Sequence, residues 1–473
     1  MKYIIAIILF AGSMRVSAQD TIAVPKQTLS FEEYLGYVKK YHPLIKQADL
    51  TLSLGEANLL KARGGFDPKI EVDYDRKKFE STEYYDQLNA TFNIPTWYGI
   101  EFKANFEENT GAFLNPNLSV PEGGLYSAGV SFSLAQGFLI NERMATLKKA
   151  RFFREQTQAD RELLVNNLIF AASNAYFMWL EASTEEQIYQ TFLENATVRL
   201  DAVQRSVEVG ETPAIDITEA RIALQNRELG LEAARLKRRK AALEVSNFLW
   251  LDEVPLELQE QVIPVSPEIE LVQSSLALVN VAVLSTMIEN HPKLRSLDAK
   301  IDGLDVDRSL KRNKLLPKLD LQYNFLSPEY DQVSSFNTAN YKAFLNFSFP
   351  LFLRKERGDL RVAQAKLQEA NYERISASLS IRNKIEASYA EINSLGSQND
   401  LVQNIVIDYE SLLTAEERKF FLGESSLFLI NSREQKLIDA RLKQNEVSVK
   451  QLTAIASLYN ALGMSENGSN NNP

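Results

Sequence analysis

The chain of 473 residues contains no cysteine and only two histidines. The first absence excludes disulfides, thiol catalysis, thiolate metal sites and a lipid anchor on an N-terminal cysteine. The second leaves little for imidazole chemistry, and both histidines, His42 and His291, stand directly before a proline. That placement suits helix joints rather than reacting groups. A phosphate-cradling glycine loop, a His-Glu-x-x-His motif and a nucleophile elbow are missing as well, so no catalytic residue, cofactor or metal is expected and the chain does not read as an enzyme. Positive charge is in deficit too, with 52 Lys and Arg against 62 Asp and Glu. No unbalanced basic cluster carries stacking aromatics, so nucleic acid is not an expected partner.

Glycine and proline are absent from Asn141 to Glu208. One helix through that stretch would be about 100 Å long at 1.5 Å per residue, which is deeper than an ordinary globular core. The chain turns only at Val209 to Ile215, where Gly210 can take the left-handed conformation that ends a helix and Pro213 can open the next. Beyond it Ile217, Leu224, Leu231 and Val245 follow a seven-residue spacing, with Ala220, Ala234, Ala241 and Phe248 between them. This predicts a long antiparallel coiled coil with small residues for close approach.

The same hairpin recurs. A second long helical pattern, Asp359 to Leu422, is read as uninterrupted and ends in Leu422 to Ser432, whose Gly-Glu step matches Val209 to Glu219. One offset carries His42-Pro43 onto His291-Pro292 and Pro68-Lys69 onto Pro317-Lys318, while Tyr176 and Tyr389 each follow a small residue within the long helices. Two copies of one supersecondary unit therefore make up nearly the whole chain.

Lys2, the apolar run Tyr3 to Phe10 and the small residues Val16, Ser17 and Ala18 read as a signal peptide. Its removal would leave 50 basic against 62 acidic residues, a formal charge of −12. Spanning helices are not expected: Leu163 to Leu180 is uncharged but includes Asn166, Asn167, Ser173 and Asn174, and Ser274 to Ile288 is shorter still. Glu32-Glu33, Glu185-Glu186 and Glu416-Glu417 are read as solvated helix faces.

Six runs alternate with period two instead. They are Lys69 to Phe79, Tyr85 to Ile94, Ile100 to Glu108 and Tyr126 to Leu134 in the first repeat, then Leu319 to Phe325 and Tyr341 to Phe349 in the second. Strands of about nine to eleven residues cross a bilayer when tilted. A soluble sandwich shows the same alternation, but export, the lack of a spanning helix and the neighbouring long helices favour a membrane barrel. The expected fold is thus an α+β membrane protein, a transmembrane β-barrel carried on long coiled-coil helices. Its parts are a signal peptide (1–18), a first repeat with four strands (19–251), a connecting strap (252–280), a second repeat with two strands (281–463) and a disordered tail (464–473). In each repeat two short helices, Pro43 to Phe66 with Ala214 to Leu251 and Pro292 to Leu315 with Leu427 to Leu462, sum to one long helix and would stack end to end beside it.

With export, duplication, strand hairpins on long helical hairpins and paired glycine turns, the chain resembles the TolC family of outer-membrane efflux and secretion channels over Thr28 to Gly463. The resemblance implies a homotrimer in outer-membrane lipid, a trimeric transmembrane β-barrel continuous with a long periplasmic α-helical coiled-coil barrel. It would act as a passive exit duct for small molecules or proteins handed over by a periplasmic adaptor and an inner-membrane pump. It also implies that Val209, Gly210, Glu211 and Thr212, with Leu422, Gly423, Glu424 and Ser425, form the periplasmic tip that meets the adaptor. Asp216 and Glu219 match the acidic residues that ring the entrance in the family. Two departures stand out. The second repeat has Leu429 and Ser432 at the gate positions, and four strands replace the family's usual hairpin in the first repeat, which makes six per protomer and eighteen per trimer where members commonly have twelve. The competing reading leaves Tyr85 to Glu108 as a hairpin outside the membrane, where Phe92, Ile94, Ile100, Phe102 and Phe106 would expose an apolar face to water. The alternative reading is a periplasmic coiled-coil scaffold without channel activity, which leaves the strands without a purpose.

Overall fold

A computed structural model describes residues 27–276, 278 and 288–464. The expected signal peptide, most of the tail and most of the uncharged run from Ser274 to Ile288 lie outside the described residues. A short strand β1 (Thr28–Leu29) leads into α1 (Phe31–Tyr41), where Ser30 Oγ accepts from Glu33 N at 3.2 Å, and then α2 (Pro43–Arg63). Four strands follow: β2 (Lys69–Phe79), β3 (Thr82–Pro95), β4 (Ile100–Thr110) and β5 (Leu125–Ser133). The long hairpin is α3 (Glu142–Glu208) and α4 (Ile215–Ser246). Next come the short strands β6 (Trp250–Leu251), β7 (Val254–Pro255) and β8 (Ile263–Pro264) and the short helix α5 (Ile269–Ser275). The second repeat is α6 (Pro292–Asn313), β9 (Lys318–Ser327), β10 (Tyr341–Ser348), α7 (Arg354–Phe421) and α8 (Leu427–Leu462).

Length makes the helices stand side by side. At 67 and 68 residues, α3 and α7 each extend about 100 Å. α2 and α4 both pack along α3, while α6 and α8 pack between α3 and α7. Four columns result, in the order α2 with α4, α3, α6 with α8, α7. The short helices meet end to end at the histidines, as the summed lengths require. His42 Nδ1 accepts from Leu44 N at 3.2 Å and His291 Nδ1 from Lys293 N at 3.1 Å, so each ring caps the helix its proline opens. Each ring also reaches the end of the returning helix, through the backbone of Asn247 and of Ala461. Burial lowers both imidazole pKa values, that of His291 to about 4. The stability gained from the neutral ring is therefore present above the ordinary imidazole pKa near 6.5 and is lost as pH falls toward 4.

α7 runs unbroken as expected, although its sequence is not free of glycine: Gly396 lies in its middle. The helix continues through it since a glycine within a helix costs only about 0.5–1 kcal/mol relative to alanine. One stretch of α3 is apolar enough to cross a bilayer, yet 56% of it is buried inside the protein. Leu168, Ile169, Ala172, Tyr176, Phe177 and Trp179 instead fill the main core with α1 and the ends of α4 and α8. The Tyr176 hydroxyl lies 2.9 Å from Leu29 O and 2.7 Å from Val265 O, and it accepts from Val265 N at 3.1 Å. One side chain thus ties the first strand and the strap to the long helix. Its counterpart Tyr389 is only half-buried.

The six long strands form one antiparallel sheet in the order β10-β9-β5-β4-β3-β2. β5 pairs with β9, so the two repeats meet inside the sheet. Boundaries differ from the sequence expectation mainly at β3, which starts at Thr82 and not Tyr85. Glu80 and Ser81, at φ 48° and 65°, make a two-residue turn that extends the hairpin. No Asn-Gly or Asp-Gly step announces it. The Pro95 to Gly99 turn sits at the helix end of the sheet: Trp97 stacks on Phe66 at 5.6 Å and packs with Leu59 and Leu147. This turn touches helices while its strands stay fully paired in the sheet.

Candidate functional site

Strand register sorts the sheet's side chains into two faces. On one face Ile70, Val72 and Tyr74 of β2 lie across from Phe92, Ala90 and Leu88 of β3, which continue to Ala104 and Phe106 of β4. Ala128, Val130 and Phe132 of β5, then Phe325, Tyr323 and Leu321 of β9, then Tyr341, Ala343 and Leu345 of β10 carry the same face to the far edge. The opposite face holds Glu71, Asp73 and Asp75, Asn89 and Thr91, Lys103, Asn105 and Glu107, Ser127 and Ser131, Gln322 and Asn324, and Lys342 and Asn346. Leu125, Leu326 and Phe344 are apolar exceptions there, and Glu108 opposite Leu88 and Arg76 opposite Asp86 are charged exceptions on the first face, at its end far from the helices. Asn105 Nδ2 donates to Thr91 Oγ1 at 2.8 Å, and Ser133 Oγ to Asp320 Oδ1 at 2.9 Å. Lys342 Nζ reaches Glu107 Oε1 at 3.5 Å although β9 and β5 lie between their strands. On a flat sheet that is three strand spacings, roughly 14 Å, so the contact favours a sheet curled toward its polar face. An apolar outside and a polar inside is what a wall between lipid and water requires.

At the other end of the long helices, the two turns are copies down to their hydrogen bonds. Gly210 N donates to Val207 O at 3.0 Å and Glu211 N to Ser206 O at 2.9 Å; Gly423 N donates to Phe420 O at 3.0 Å and Glu424 N to Lys419 O at 2.8 Å. Both are Schellman caps, with the glycines at φ +79° and +77°. Val203, Ala220 and Leu427 pack together, which sets the two turns side by side. Val209 and Leu422 are exposed, as are Glu211 and Glu424, and Phe421 and Phe428 add apolar surface at the second turn. Thr212 is half-buried, and Ser425 Oγ donates to Glu416 Oε1 at 2.6 Å.

Asp216 and Glu219 are both half-buried in the first turns of α4. Glu219 Oε1 accepts from Asn431 Nδ2 at 3.2 Å, which links α4 to α8. Two of the solvated-face expectations fail. Glu416 is 7% exposed, because it braces the second turn through Ser425. Glu185 and Glu186 are half-buried, since Lys237 and Arg238 reach across from α4 to pair with them. Glu32 and Glu33 are exposed as expected.

The most buried charge in this half of the molecule went unanticipated. Glu434, with no exposure, accepts from Arg199 Nη2 at 2.8 Å and from Arg227 Nη2 at 3.3 Å. Arg227 Nη1 also donates to Gln435 Oε1 at 2.6 Å. One carboxylate thus joins α3, α4 and α8. The signal was available: Arg227 stands in the seven-residue register of Ala220, Ala234 and Ala241, where a basic side chain must be buried and therefore paired. A second stripe was legible too. Ile222, Leu229, Leu236 and Leu243 repeat every seven residues on α4 and are all exposed in the single chain.

The sequence profile of the outer membrane efflux protein family matches residues 38–249 and 283–464. The pyoverdine export outer membrane protein OpmQ of Pseudomonas putida is 22% identical over 430 residues, covering 89% of this chain and 78% of OpmQ. The cobalt-zinc-cadmium resistance protein CzcC of Cupriavidus metallidurans is 23% identical over 327 residues, or 68% of this chain and 74% of CzcC. Among solved structures, the CmeC outer membrane channel of Campylobacter jejuni superposes with a TM-score of 0.65 at 15% identity over 91% of this chain and 85% of CmeC. The MtrE outer membrane channel of Neisseria gonorrhoeae gives 0.64 at 14% identity over 91% and 88%.

Proposed function

The chain belongs to the outer membrane efflux protein family, and from that premise we propose that it is the outer-membrane channel of a tripartite efflux system. The observation that carries this reading is the six-stranded sheet, apolar on one face and polar on the other, set on helical columns of about 100 Å. The sheet lines a barrel through the outer membrane, and the helices continue its lumen into the periplasm. One sheet cannot close around a lumen, so the working unit is a homotrimer. The exposed stripe Ile222, Leu229, Leu236 and Leu243 on one edge column supports this, because a coiled-coil seam of that spacing needs a partner helix. α7 at the other edge, with Tyr372, Ile375 and Leu379 exposed, is the surface a neighbouring copy would bring to it.

Within this reading the turns around Gly210 and Gly423 form the periplasmic tip and meet an adaptor protein, which hands over cargo from an inner-membrane pump. Cell fractionation tests the channel against a periplasmic scaffold. The protein is expected in the outer-membrane fraction, released only by detergent; recovery in the soluble periplasm would leave the scaffold standing.

Asp216 and Glu219 are the proposed entrance gate. Threefold symmetry would set six carboxylates around the opening, a ring that attracts cations and favours their passage. Bilayer recordings of Asp216→Asn with Glu219→Gln are expected to show a clear loss of cation preference. Unchanged selectivity would return Glu219 to the single role of holding Asn431.

A further inference from the structure

We propose that the membrane ends of the helical columns form a basic collar that binds the phosphates of anionic phospholipids in the periplasmic leaflet of the outer membrane. The proposal rests on the channel reading, which sets that leaflet at the junction of sheet and helices. Charge at this level is opposite to that of the chain. Segments 60–66, 142–154, 305–314 and 354–361, where α2 and α6 end and α3 and α7 begin, hold 15 Lys and Arg against 5 Asp and Glu, while the whole chain has 52 against 62. The sequence scatters this charge over four segments, and only the fold gathers it. Four of the five acids are already engaged: Glu142 pairs with Lys314, Asp305 with Arg308, Asp307 with Lys149 at 3.1 Å and Asp359 with Lys311 at 3.7 Å. Lys61, Arg63, Arg354, Lys355, Arg357 and Arg361 are exposed and, among the described residues, have no carboxylate partner.

Helix chemistry does not account for this excess. Basic residues complement the helix dipole at the C-terminal ends of α2 and α6, but at the N-terminal end of α7 they oppose it. Arg354, Lys355 and Arg357 nonetheless crowd the first turn of that helix. An anion supplied from outside the chain removes the conflict. What lies on the membrane side of the collar identifies that anion as a lipid. Leu139, Leu316, Leu351 and Phe352, in the links between helices and strands, are all exposed. Arg354 then lies over the Phe352 ring, 5.2 Å from its centroid. Apolar strands, an apolar rim and a cationic collar follow one another as acyl chains and phosphate do along a phospholipid. A long basic side chain can lay its stem on such a rim while its head meets the phosphate.

The densest charge falls where two copies meet. Arg354, Arg357 and Arg361 each stand 18 residues, or five helical turns, before Tyr372, Ile375 and Leu379, so they share the face of α7 that a neighbouring copy covers in the trimer. That face meets the edge column of the next copy, whose membrane end carries Lys61 and Arg63 on α2. Depths agree, because Arg63 lies six residues before β2 begins at Lys69 and Arg354 six residues after β10 ends at Ser348. Like charges brought together across the seam repel unless an anion lies between them. A headgroup phosphate at this point offsets the repulsion and links the two protomers.

Native mass spectrometry of the full-length trimer, equilibrated in detergent with equimolar phosphatidylglycerol and phosphatidylcholine, measures the preference. The unsubstituted protein is expected to retain phosphatidylglycerol at least ~5-fold over phosphatidylcholine, since one basic side chain near an anionic surface is worth about fivefold in affinity. Arg354→Gln with Arg357→Gln and Arg361→Gln should remove most of that preference from intact trimers. The same loss of charge toward the opposite end of the columns, at the exposed Arg205, Arg221 and Lys436 each changed to Gln, should leave it unchanged. If the collar variant does not assemble, Lys61→Gln with Arg63→Gln makes the same test from the other side of the seam. No preference in the unsubstituted trimer, an unchanged preference in the collar variant, or an equal fall in both charge variants would overturn the proposal. Displacement of phosphatidylglycerol by inorganic phosphate, where sodium chloride of equal ionic strength displaces none, would also overturn it by assigning the cluster to free phosphate. Failure of the channel reading is recognised separately, by recovery of the unsubstituted protein in the soluble periplasm.

Discussion

Glu434→Gln is expected to destabilise the helical part of the protein by about 3–5 kcal/mol, the usual cost of removing one partner from a buried ion pair. The side chain has no exposure, and its two oxygens are divided between Arg199 and Arg227. Glutamine keeps the shape but leaves two guanidinium groups facing a neutral amide. Arg199 keeps Glu417 at 3.5 Å, but Arg227, with 5% side-chain exposure, keeps only the neutral Gln435, so water can relieve little of its unbalanced charge. Denaturant unfolding followed by the helical circular dichroism signal should show the midpoint moving sharply down. Restoring charge balance with apolar residues, as Glu434→Leu together with Arg199→Met and Arg227→Met, should recover most of the loss. A change below about 1 kcal/mol in the single variant would mean that the triad is weakly coupled to folding, as an exposed pair would be.

The triad also illustrates what the sequence disclosed and what it withheld. Element types were legible because the two periods are clean: α3 begins at the expected boundary, where Asn141 Oδ1 accepts from Met144 N at 2.8 Å, and β2 starts and stops where the alternation does. Repeat-to-repeat matching located both glycine turns and both histidine joints, because each is a local backbone requirement written in one or two residues. Partnership between distant side chains was not legible. Glu416 and Glu186 read as solvated charges in a helical pattern and Glu434 carried no reading of its own; only the packing of α4 and α8 beside α3 and α7 brings Ser425, Arg238 and Arg227 to them. The tight turn at Glu80 and Ser81 was hidden for the opposite reason. Its left-handed residues are not glycine or asparagine, so hairpin geometry overrides local preference there.

Gly210→Val combined with Gly423→Val is expected to abolish export while leaving the trimer in the membrane. At φ +79° and +77° a β-branched side chain clashes with its own backbone, at about 1–2 kcal/mol for each turn. The surroundings contribute nothing to that penalty, since a Cβ at either position meets no atom within 4 Å. The cost is therefore local, and relief comes from giving up the Schellman bonds of Glu211 and Glu424 rather than from disturbing the core. Together the two turns lose about 2–4 kcal/mol, enough to shift the population of the native tip by more than ~10-fold. Because Val209, Leu422 and the two glutamates ride on these turns, their presentation to an adaptor changes while the barrel and columns do not. Dye efflux and susceptibility of producing cells to toxic compounds measure the loss, with trimer content of the outer membrane as the control. Gly210→Asn with Gly423→Asn, which tolerates the left-handed conformation, should retain most export. Full efflux by the valine pair would remove the turns from the mechanism, and loss of trimers from the membrane would show that they serve assembly instead.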